Sequence, residues 1–389
     1  MLRAEILTDI AAVRSIVPEW RALLARSANP QPVQTPLWLV TWWLEFGESD
    51  GRSLRFVTLR DGGTLVGVVP LAARRMLHRG VLPLRRLELL ATGENEEDEI
   101  CSDYVGAVLE LGREVDVANA LAKLLMEGAL GGWDELHLTQ MRDGDPLLAP
   151  LEAALARLRA RPRVTASGLC PYVPLPRTWD EYTKALDGEQ RYAVSRGMRE
   201  LEKWAGRGNY ELRRAETRAD LEEGRRILHS LHAERWSTNG AGGVFASARF
   251  RRFHDEVMPR LFDGEDGGLD LMWLSVRNEP IACVYNIIYG NKVHFYQSGR
   301  KLEVPKAVKP GMAIHSLAIR RSIELGHSEY DFLNGASQYK RKLATATRSL
   351  VTLTATAPEL RARAVDAART LTETALAKAR HLAGGLRRA

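Results

Sequence analysis

Four cations stand between a strand pattern and a helical pattern late in the chain. Arg300, Lys301, Lys306 and Lys309 follow the strand pattern HFYQS, and Pro310-Gly311 then opens a helical pattern. The first turn of a helix offers free backbone N–H groups and the positive end of the helix dipole. The stretch therefore predicts a site for an anion such as a pyrophosphate. An ordinary Pro-Gly helix start beside a solvated loop explains the same pattern, because no phosphate-binding glycine motif is present.

A second stretch, YDFLNGASQYK, could carry proton transfer. A strand over its first residues would place Asp331 and Leu333 on one face and Asn334 on the other. Tyr339 is then a candidate general acid, and Lys340 could hold a phosphate or a carbonyl oxygen. The alternative interpretation is a buried tyrosine beside an exposed lysine.

A third group of candidates lies on the helical pattern LHSLHAERW. His229 and His232 are three residues apart on one face, and Glu234 follows them. A metal site would need further ligands, and the HExxH motif is absent. The three cysteines lie far apart without a CxxC pair, which argues against a disulfide framework and a structural zinc site. We expect satisfied surface histidines, no metal, and His232 or Glu234 as a candidate general base.

The periodicity of apolar residues places these stretches in a repeated order of elements. The second half reads as a strand, two helices, three antiparallel strands, a helix and a further strand. Turn residues at Asn278-Glu279-Pro280 and Gly290-Asn291 separate the three strands. The first half follows the same order, with a hairpin at Asp61-Gly62-Gly63. The prolines of LCPYVPLPRTWDEY interrupt regular structure and mark the join.

The length and composition indicate a folded protein of two domains. The chain has 389 residues, of which 45% are hydrophobic and 27% are charged. We expect one domain over residues 1–165 and a second over residues 166–356. A basic helical tail over residues 357–389 is expected to follow.

The charge distribution argues against DNA binding. The net charge is +6, from 55 Lys and Arg minus 49 Asp and Glu, and the tail contributes +4, seven minus three. The body is only mildly basic, whereas nucleic-acid binders concentrate positive charge on one face. An acidic segment, ENEEDEICSDYVG, is a solvated loop or lines a groove between the domains with Asp103 and Tyr104. No stretch approaches the roughly 20 apolar residues of a membrane span. The N-terminal stretch has no long apolar core of a leader, so we expect a cytoplasmic protein.

The second half resembles the acetyltransferase domain of the CelD-type proteins associated with cellulose biosynthesis, within the GNAT superfamily. Fem-type peptidyltransferases of cell-wall bridge synthesis are related. The matching pieces, within residues 191–350, are LHAERW, FASARFRRFHDEV, IACVYNIIYGNKVHFYQSGR, KPGMAIHSLAIRRSIELGHSEYDFLNG and QYKRKL. The first half resembles the degenerate first GNAT-like domain of the same proteins. The resemblance implies an α/β (α+β) fold of tandem GNAT-like domains, with mixed, mostly antiparallel sheets flanked by helices.

In GNAT folds, the thioester arm of an acyl-CoA lies between two central strands that splay apart. The resemblance implies that HFYQS and YDFLN are these strands and that acetyl-CoA or another acyl-CoA is the cosubstrate. The residues expected to bind it are Gln297, Ser298, Gly299, Lys309, Gly311, Met312, Ala313, Asn334 and Lys340. The chain departs from the family's glycine-rich Q/RxxGxG/A loop, which leaves an aminoacyl-tRNA donor as the alternative. An acyl-CoA is favoured because the helical arm of many Fem-type enzymes is not evident.

The resemblance further implies acyl transfer to an amine, or to a hydroxyl, of a sugar, polysaccharide or cell-envelope precursor. Tyr339 would protonate the leaving thiolate, and Asp331 or Glu234 would accept the acceptor's proton. Backbone N–H groups near Gln297–Gly299 would stabilise the oxyanion. One alternative is a Fem-like transferase that holds tRNA through the basic helix Arg191–Trp204 and the tail. The other is a non-catalytic scaffold in exopolysaccharide synthesis that binds a partner through the tail.

Overall fold

The computed structural model describes residues 2–78, 81–206, 208–237, 243–335 and 337–370. The strands of the first half are β1 (Arg3–Leu7), β2 (Arg52–Asp61), β3 (Thr64–His78), β4 (Leu82–Leu89), β5 (Val108–Leu109), β6 (Glu135–Arg142) and β7 (Arg161–Pro174). Its helices are α1 (Ile10–Ser15), α2 (Val17–Arg26), α3 (Pro36–Trp42), α4 (Glu114–Met126) and α5 (Leu148–Arg157).

The second half repeats this order of helices and strands. Its helices are α6 (Trp179–Ala185), α7 (Gly188–Ala205), α8 (Arg218–Ser237), α9 (Ala248–Phe262), α10 (Pro310–Glu324) and α11 (Gln338–Leu343). Its strands are β8 (Tyr210–Arg214), β9 (Gly268–Val276), β10 (Glu279–Tyr289), β11 (Lys292–Arg300), β12 (Glu329–Asp331) and β13 (Ala346–Thr356). Residues 360–370 are helical, and the predicted tail beyond residue 370 lies outside the described residues.

The described strands form one sheet that runs through both halves. Its order is β1-β2-β3-β4-β6-β13-β7-β12-β11-β10-β9-β8, with β5 paired to β3. Most neighbours are antiparallel, but β4 pairs with β6 in parallel, and β11 pairs with β12 in parallel. Helices flank this sheet, so the predicted mixed, mostly antiparallel α/β architecture is confirmed.

The hairpins are built on turns whose residues tolerate a left-handed backbone. Arg277 and Asn278, between β9 and β10, have φ values of 52° and 66°, and Gly290 and Asn291, between β10 and β11, have 56° and 59°. Two-residue turns with positive φ at both positions match the twist of antiparallel strands, and glycine and asparagine favour them. The meander predicted from these residues is therefore confirmed.

The two halves exchange their last strands. β7 follows the first half along the chain but pairs with β12 of the second half, while β13 pairs with β6 of the first half. β7 and β13 also pair with each other over eleven residues of each strand. Each half therefore depends on a strand of the other for the continuity of its sheet.

Two apolar cores lie on the faces of this sheet. The larger core joins the halves: Trp38 of α3 packs edge-on against Phe253 of α9 and Tyr296 of β11, with ring centroids 4.9 and 5.5 Å apart. The smaller core lies under α7 and α10 and includes Phe295, and Tyr330 at β12. Successive residues of β11, Phe295 and Tyr296, thus enter different cores, as the two-residue period of a strand requires.

Two sequence predictions about local structure are wrong. Pro171 does not interrupt regular structure, because it lies within β7, although the strand ends at Pro174 and Pro176 lies in the irregular segment before α6. The sequence SDYVGAVLE also predicts a strand, but this segment forms only the two-residue strand Val108–Leu109, since Tyr104 has a φ of 68° that an extended strand cannot accommodate. The predicted domain boundary near residue 165 falls inside β7 and stays a prediction.

Leu353→Ala tests the coupling of the halves. Leu353 is fully buried in β13, between Leu138 of β6 and Val164 of β7. We expect a loss of about 2–5 kcal/mol in the free energy of unfolding, because truncation leaves a cavity. Hydrogen exchange should accelerate in both β6 and β12, whereas Leu169→Ala, at a half-exposed site on β7, should change little. Acceleration confined to one half would contradict the coupling.

Candidate active site

The gap between β11 and β12 positions the candidate site. The parallel pairing of the two strands ends at His294 and Asp331. β11 continues to Arg300, but the chain leaves β12 after Asp331 and turns at Leu333, whose φ is 56°. The two walls therefore diverge from the His294–Asp331 pair onward, and we call this space the β11–β12 gap. The predicted adjacency of HFYQS and YDFLN is confirmed, but the second strand ends at Asp331 rather than Asn334.

The wall beyond β12 is completed by a lysine. The Phe332 N–H donates to the Pro171 carbonyl at 3.0 Å, which continues the antiparallel register of β12 with β7. The partner N–H would normally return a bond to the Phe332 carbonyl, but proline has no N–H. Lys340 Nζ donates to this carbonyl at 2.7 Å and to the Asn334 carbonyl at 2.7 Å. Lys340 is 9% exposed, and burial lowers its pKa.

The N-terminus of α10 lies beside the open end of the gap. A side-chain carbon at Gly311 would lie 4.0 Å from Arg300 Cδ, so the space beside this glycine is open. Lys309, the N-cap residue, is exposed and makes no side-chain capping bond. The Ala313 N–H donates to the Lys309 carbonyl at 3.1 Å, which leaves the N–H groups of Gly311 and Met312 to point out of the helix. An anion placed here would meet these two N–H groups and the exposed side chains of Lys309 and Arg300.

The guanidinium of Arg235 connects β11 with α11. Arg235, in the last turn of α8, donates from Nη1 to Ser298 Oγ of β11 at 2.9 Å. Burial raises the pKa of the Tyr339 hydroxyl, and the nearby Arg235 opposes this shift. The Tyr339 ring stacks on His315 of α10, with centroids 5.3 Å apart and planes at 19°. Two residues predicted from sequence, Ser298 and Tyr339, are therefore brought together by Arg235.

Arg235 was not among the residues predicted from sequence. It follows Glu234, and successive residues of a helix point about 100° apart, so only one of the two could face β11 at this level. The signal that could have identified it is a cation in the last turn of a helix beside a strand with a serine. Apolar periodicity alone does not distinguish the two orientations.

Asp331 is enclosed by groups from both halves. Its Oδ1 accepts from the Leu333 N–H at 2.7 Å, and its Oδ2 accepts from the Tyr104 hydroxyl at 2.9 Å. Arg348 Nη1 of β13 lies 3.7 Å away. Burial raises the pKa of Asp331 to about 6, and Arg348 opposes this shift. The carboxyl can therefore hold a proton close to neutral pH.

Glu234 lies in a different environment from Asp331. Its Oε1 accepts from the Leu302 N–H at 2.6 Å. It lines a cavity of about 350 Å³ with Glu279 and Lys301, and neither Asp331 nor Tyr339 belongs to that lining. A larger cavity, of about 620 Å³, lies between the helices α1–α3 and α9, away from the gap. The two carboxylates predicted as alternative bases are thus not brought together.

Three of the predicted binding residues are constrained by packing. A side-chain carbon at Gly299 would lie 2.4 Å from His232 N, so this glycine allows α8 to approach β11 closely. Asn334 Oδ1 would lie 2.5 Å from such a carbon at Gly168 of β7, so its amide lies against the sheet. Gln297 is half-buried on β11. The binding roles of these residues stay predictions.

The described ranges contain neither a metal-binding cluster nor a membrane-spanning helix. No group of three or more His, Cys, Asp or Glu side chains in those ranges is arranged to hold a metal ion. The histidines predicted at the surface are not exposed: His229 is half-buried and His232 is buried, and both rings pack against Phe245, with centroids 4.5 and 4.9 Å apart. Among the described helices, none combines the length and apolar character needed to cross a membrane.

The comparisons with known proteins agree with this geometry. Residues 188–341, which contain both walls of the gap, match the family model described as an acetyltransferase (GNAT) domain. This part of the second half is therefore similar to that family. No curated protein matches the chain significantly.

Solved structures resemble the whole arrangement. A conserved protein of unknown function from Bacteroides thetaiotaomicron is 12% identical, with 92% of this chain and 100% of that chain covered and a TM-score of 0.54. The C-terminal domain of a protein provisionally named lysylphosphatidylglycerol synthetase, from Agrobacterium fabrum, is 9% identical, with 92% and 96% covered and a TM-score of 0.50. FemX is 12% identical, with 92% and 98% covered and a TM-score of 0.47. At these identities the first two likenesses concern the fold alone.

Lys340→Met tests the replacement of the missing proline N–H. Loss of the ammonium leaves two backbone carbonyls without their donor, so we expect the free energy of unfolding to fall by about 1–3 kcal/mol. Pro171→Ala in the same chain restores an N–H opposite Phe332 and should recover roughly 1 kcal/mol. Denaturant unfolding of the four variants of the cycle measures the recovery.

Lys342→Met is the matched control, because Lys342 pairs at 3.3 Å with the largely exposed Glu189 on the surface. We expect it to change the free energy of unfolding by less than about 0.5 kcal/mol. Equal destabilisation by Lys340→Met with and without Pro171→Ala would contradict the assignment.

Proposed function

We propose that the second half transfers an acyl group, in the first instance acetyl, from an acyl-CoA to an amine or hydroxyl. The observation that carries the proposal is the β11–β12 gap, whose open end leads to the uncapped N-terminus of α10. The GNAT family match over residues 188–341 supports the same chemistry. The acceptor class, a sugar, polysaccharide or cell-envelope precursor, follows from the resemblance to CelD-type proteins alone.

The donor would lie with its thioester arm in the gap and its pyrophosphate at the start of α10. The open space at Gly311 and the exposed side chains of Lys309 and Arg300 fit an anionic group of this size. The N–H groups of Gly311 and Met312 would donate to phosphate oxygens. Lys340, whose ammonium is bound to two backbone carbonyls, would support the wall rather than contact phosphate.

The chemistry is a direct displacement at the thioester carbonyl. The acceptor nitrogen or oxygen forms a bond to the carbonyl carbon, and the carbon–sulfur bond breaks. N–H groups near Gln297–Gly299 would stabilise the oxyanion, and Tyr339 would give its proton to the leaving thiolate. The adjacent Arg235 cation would stabilise the tyrosinate that results. The acceptor's proton would pass to water, Asp331 or Glu234.

An aminoacyl-tRNA donor is the second candidate. The basic helix predicted for it is present as α7, Gly188–Ala205. Its Arg191, however, donates to the backbone carbonyls of Thr183, Lys184 and Leu186, so this cation is engaged within the fold. A non-catalytic scaffold is the third candidate, and residues 371–389, which it needs, lie outside the described residues.

Calorimetric titration with acetyl-CoA and CoA tests the donor. We expect micromolar binding that Gly311→Trp abolishes, because the indole would fill the open space at the helix start. Lys309→Ala should weaken binding about two- to fivefold, since an exposed cation contributes on the order of 0.5–1 kcal/mol. Lys123→Ala, an exposed lysine of the first half, is the control and should leave the affinity unchanged. If neither nucleotide binds the unmodified protein, an aminoacyl-tRNA donor or a scaffold role becomes the better explanation.

Tyr339→Phe tests the general acid. The substitution keeps the ring that stacks on His315 but removes the hydroxyl, so turnover with an amine acceptor should fall by about 10²-fold. Acetyl-CoA affinity should stay the same, which separates catalysis from binding. The readout is kcat against pH for an acceptor found by screening amines. An unchanged kcat would remove Tyr339 from the mechanism.

A further inference from the structure

A segment of the first half crosses the β11–β12 gap. The segment has five residues, Ile100–Tyr104, and three of them make hydrogen bonds to the two walls. The Tyr296 hydroxyl of β11 donates to the Ile100 carbonyl. On the other wall, the Asn334 N–H donates to Asp103 Oδ2 at 2.8 Å, and the Tyr104 hydroxyl donates to Asp331 at 2.9 Å. We call residues 100–104 the crossing loop.

The crossing loop is held in one conformation. Ile100 is fully buried, and Tyr104 is 2% exposed. Cys101 and Tyr104 have φ values of 52° and 68°, which residues with side chains adopt only where their surroundings fix them. Trp38 Nε1 of α3 donates to Ser102 Oγ at 3.0 Å and ties the loop to the first half. A loop restrained from both halves can present a fixed surface to a ligand.

The crossing loop closes one side of the gap, and α11 closes the other. Tyr296 points from β11 into the core that joins the halves, which sets the side from which the loop approaches. On the opposite face, Lys340 Nζ lies 5.7 Å from the centroid of the Phe295 ring. The inner end is shut where His294 and Asp331 pair. A group entering from the α10 end would therefore meet the crossing loop on one side and α11 on the other.

We infer that the crossing loop limits the length of the acyl group, so that the site takes acetyl and rejects medium chains. This inference rests on the proposed acyl-CoA donor and adds a determinant of its specificity. The thioester arm would enter past Arg300, and its acyl end would point toward the crossing loop, where the Tyr296 hydroxyl donates to the Ile100 carbonyl. One methylene that a pocket cannot accommodate changes specificity by about 10–200-fold. The first half would thus choose the substrate of a site built on the second.

Equilibrium binding of CoA, acetyl-CoA, butyryl-CoA and octanoyl-CoA to the full chain tests the inference. The unmodified protein should bind octanoyl-CoA at least about tenfold more weakly than acetyl-CoA. Ile100→Ala removes three carbons at the end of the path and should raise the octanoyl-to-acetyl affinity ratio by about tenfold. Should Ile100→Ala fail to fold, Ile100→Val should move the ratio in the same direction by a smaller factor.

Val105→Ala is the matched control, because Val105 is 2% exposed beside the crossing loop and packs in the core that joins the halves. It should leave the ratio unchanged. Equal affinities for all chain lengths in the unmodified protein, or a ratio that Ile100→Ala does not move, would overturn the inference while leaving the acyl-CoA donor in place. Failure to bind CoA in any form would overturn the proposed donor and the inference together.

Discussion

The antiparallel pairing of β7 with β13 is the constraint on which the rest of the structure depends. Each of these strands is the last of its own half, and each pairs with the other half's sheet. A backbone hydrogen-bond ladder is satisfied only when both edges of a central strand have partners. The sheet of one half is therefore incomplete without the other, and a single sheet results where the order of elements describes two units.

The candidate site inherits its shape from this exchange. β7 brings Pro171 beside the residue that follows β12, and the missing N–H is replaced by Lys340 of α11. β13 brings Arg348, which pairs with Glu329 at 2.6 Å and lies near Asp331. Because the halves are fixed against one another, Tyr104 of the first half can lie against the Asp331 carboxyl of the second. A gap formed by two strands of one domain is thus closed by groups from three distant parts of the chain.

The elements with local signals could be predicted from the sequence. The meander β9–β11 follows from its Asn and Gly turns, and α10 follows from apolar residues at helical spacing after Pro310-Gly311. Those elements carry Ser298 and Gly311, whose binding roles stay predictions. Tyr339 as general acid also stays a prediction, and its signal in the sequence is an aromatic residue before a basic run.

The remaining features have no local signal. Much of β7 is exposed, so its first residues lack the alternating pattern of a half-buried strand, and its prolines argue against a strand altogether. Pro171 is tolerated inside the sheet because Lys340, which lies far along the chain, replaces its missing N–H. The sequence does not show which of Glu234 and Arg235 faces β11, because apolar periodicity does not fix the rotation of the helix that closely. The contacts of Tyr104 arise from packing between halves, which no periodicity within one segment can reveal.

The exchange of strands also has a consequence for how the protein is made. β6 pairs with β4 inside the first half, but its second neighbour is β13, so that edge of β6 stays unpaired until residues 346–356 have left the ribosome. During synthesis the first half therefore exposes the unpaired backbone groups of a strand edge, which can pair with strands of another chain. Pairings between residues so distant in sequence also close slowly. Two copies that exchange β13 would satisfy the same pairing, so the fold carries a risk of domain swapping at this strand.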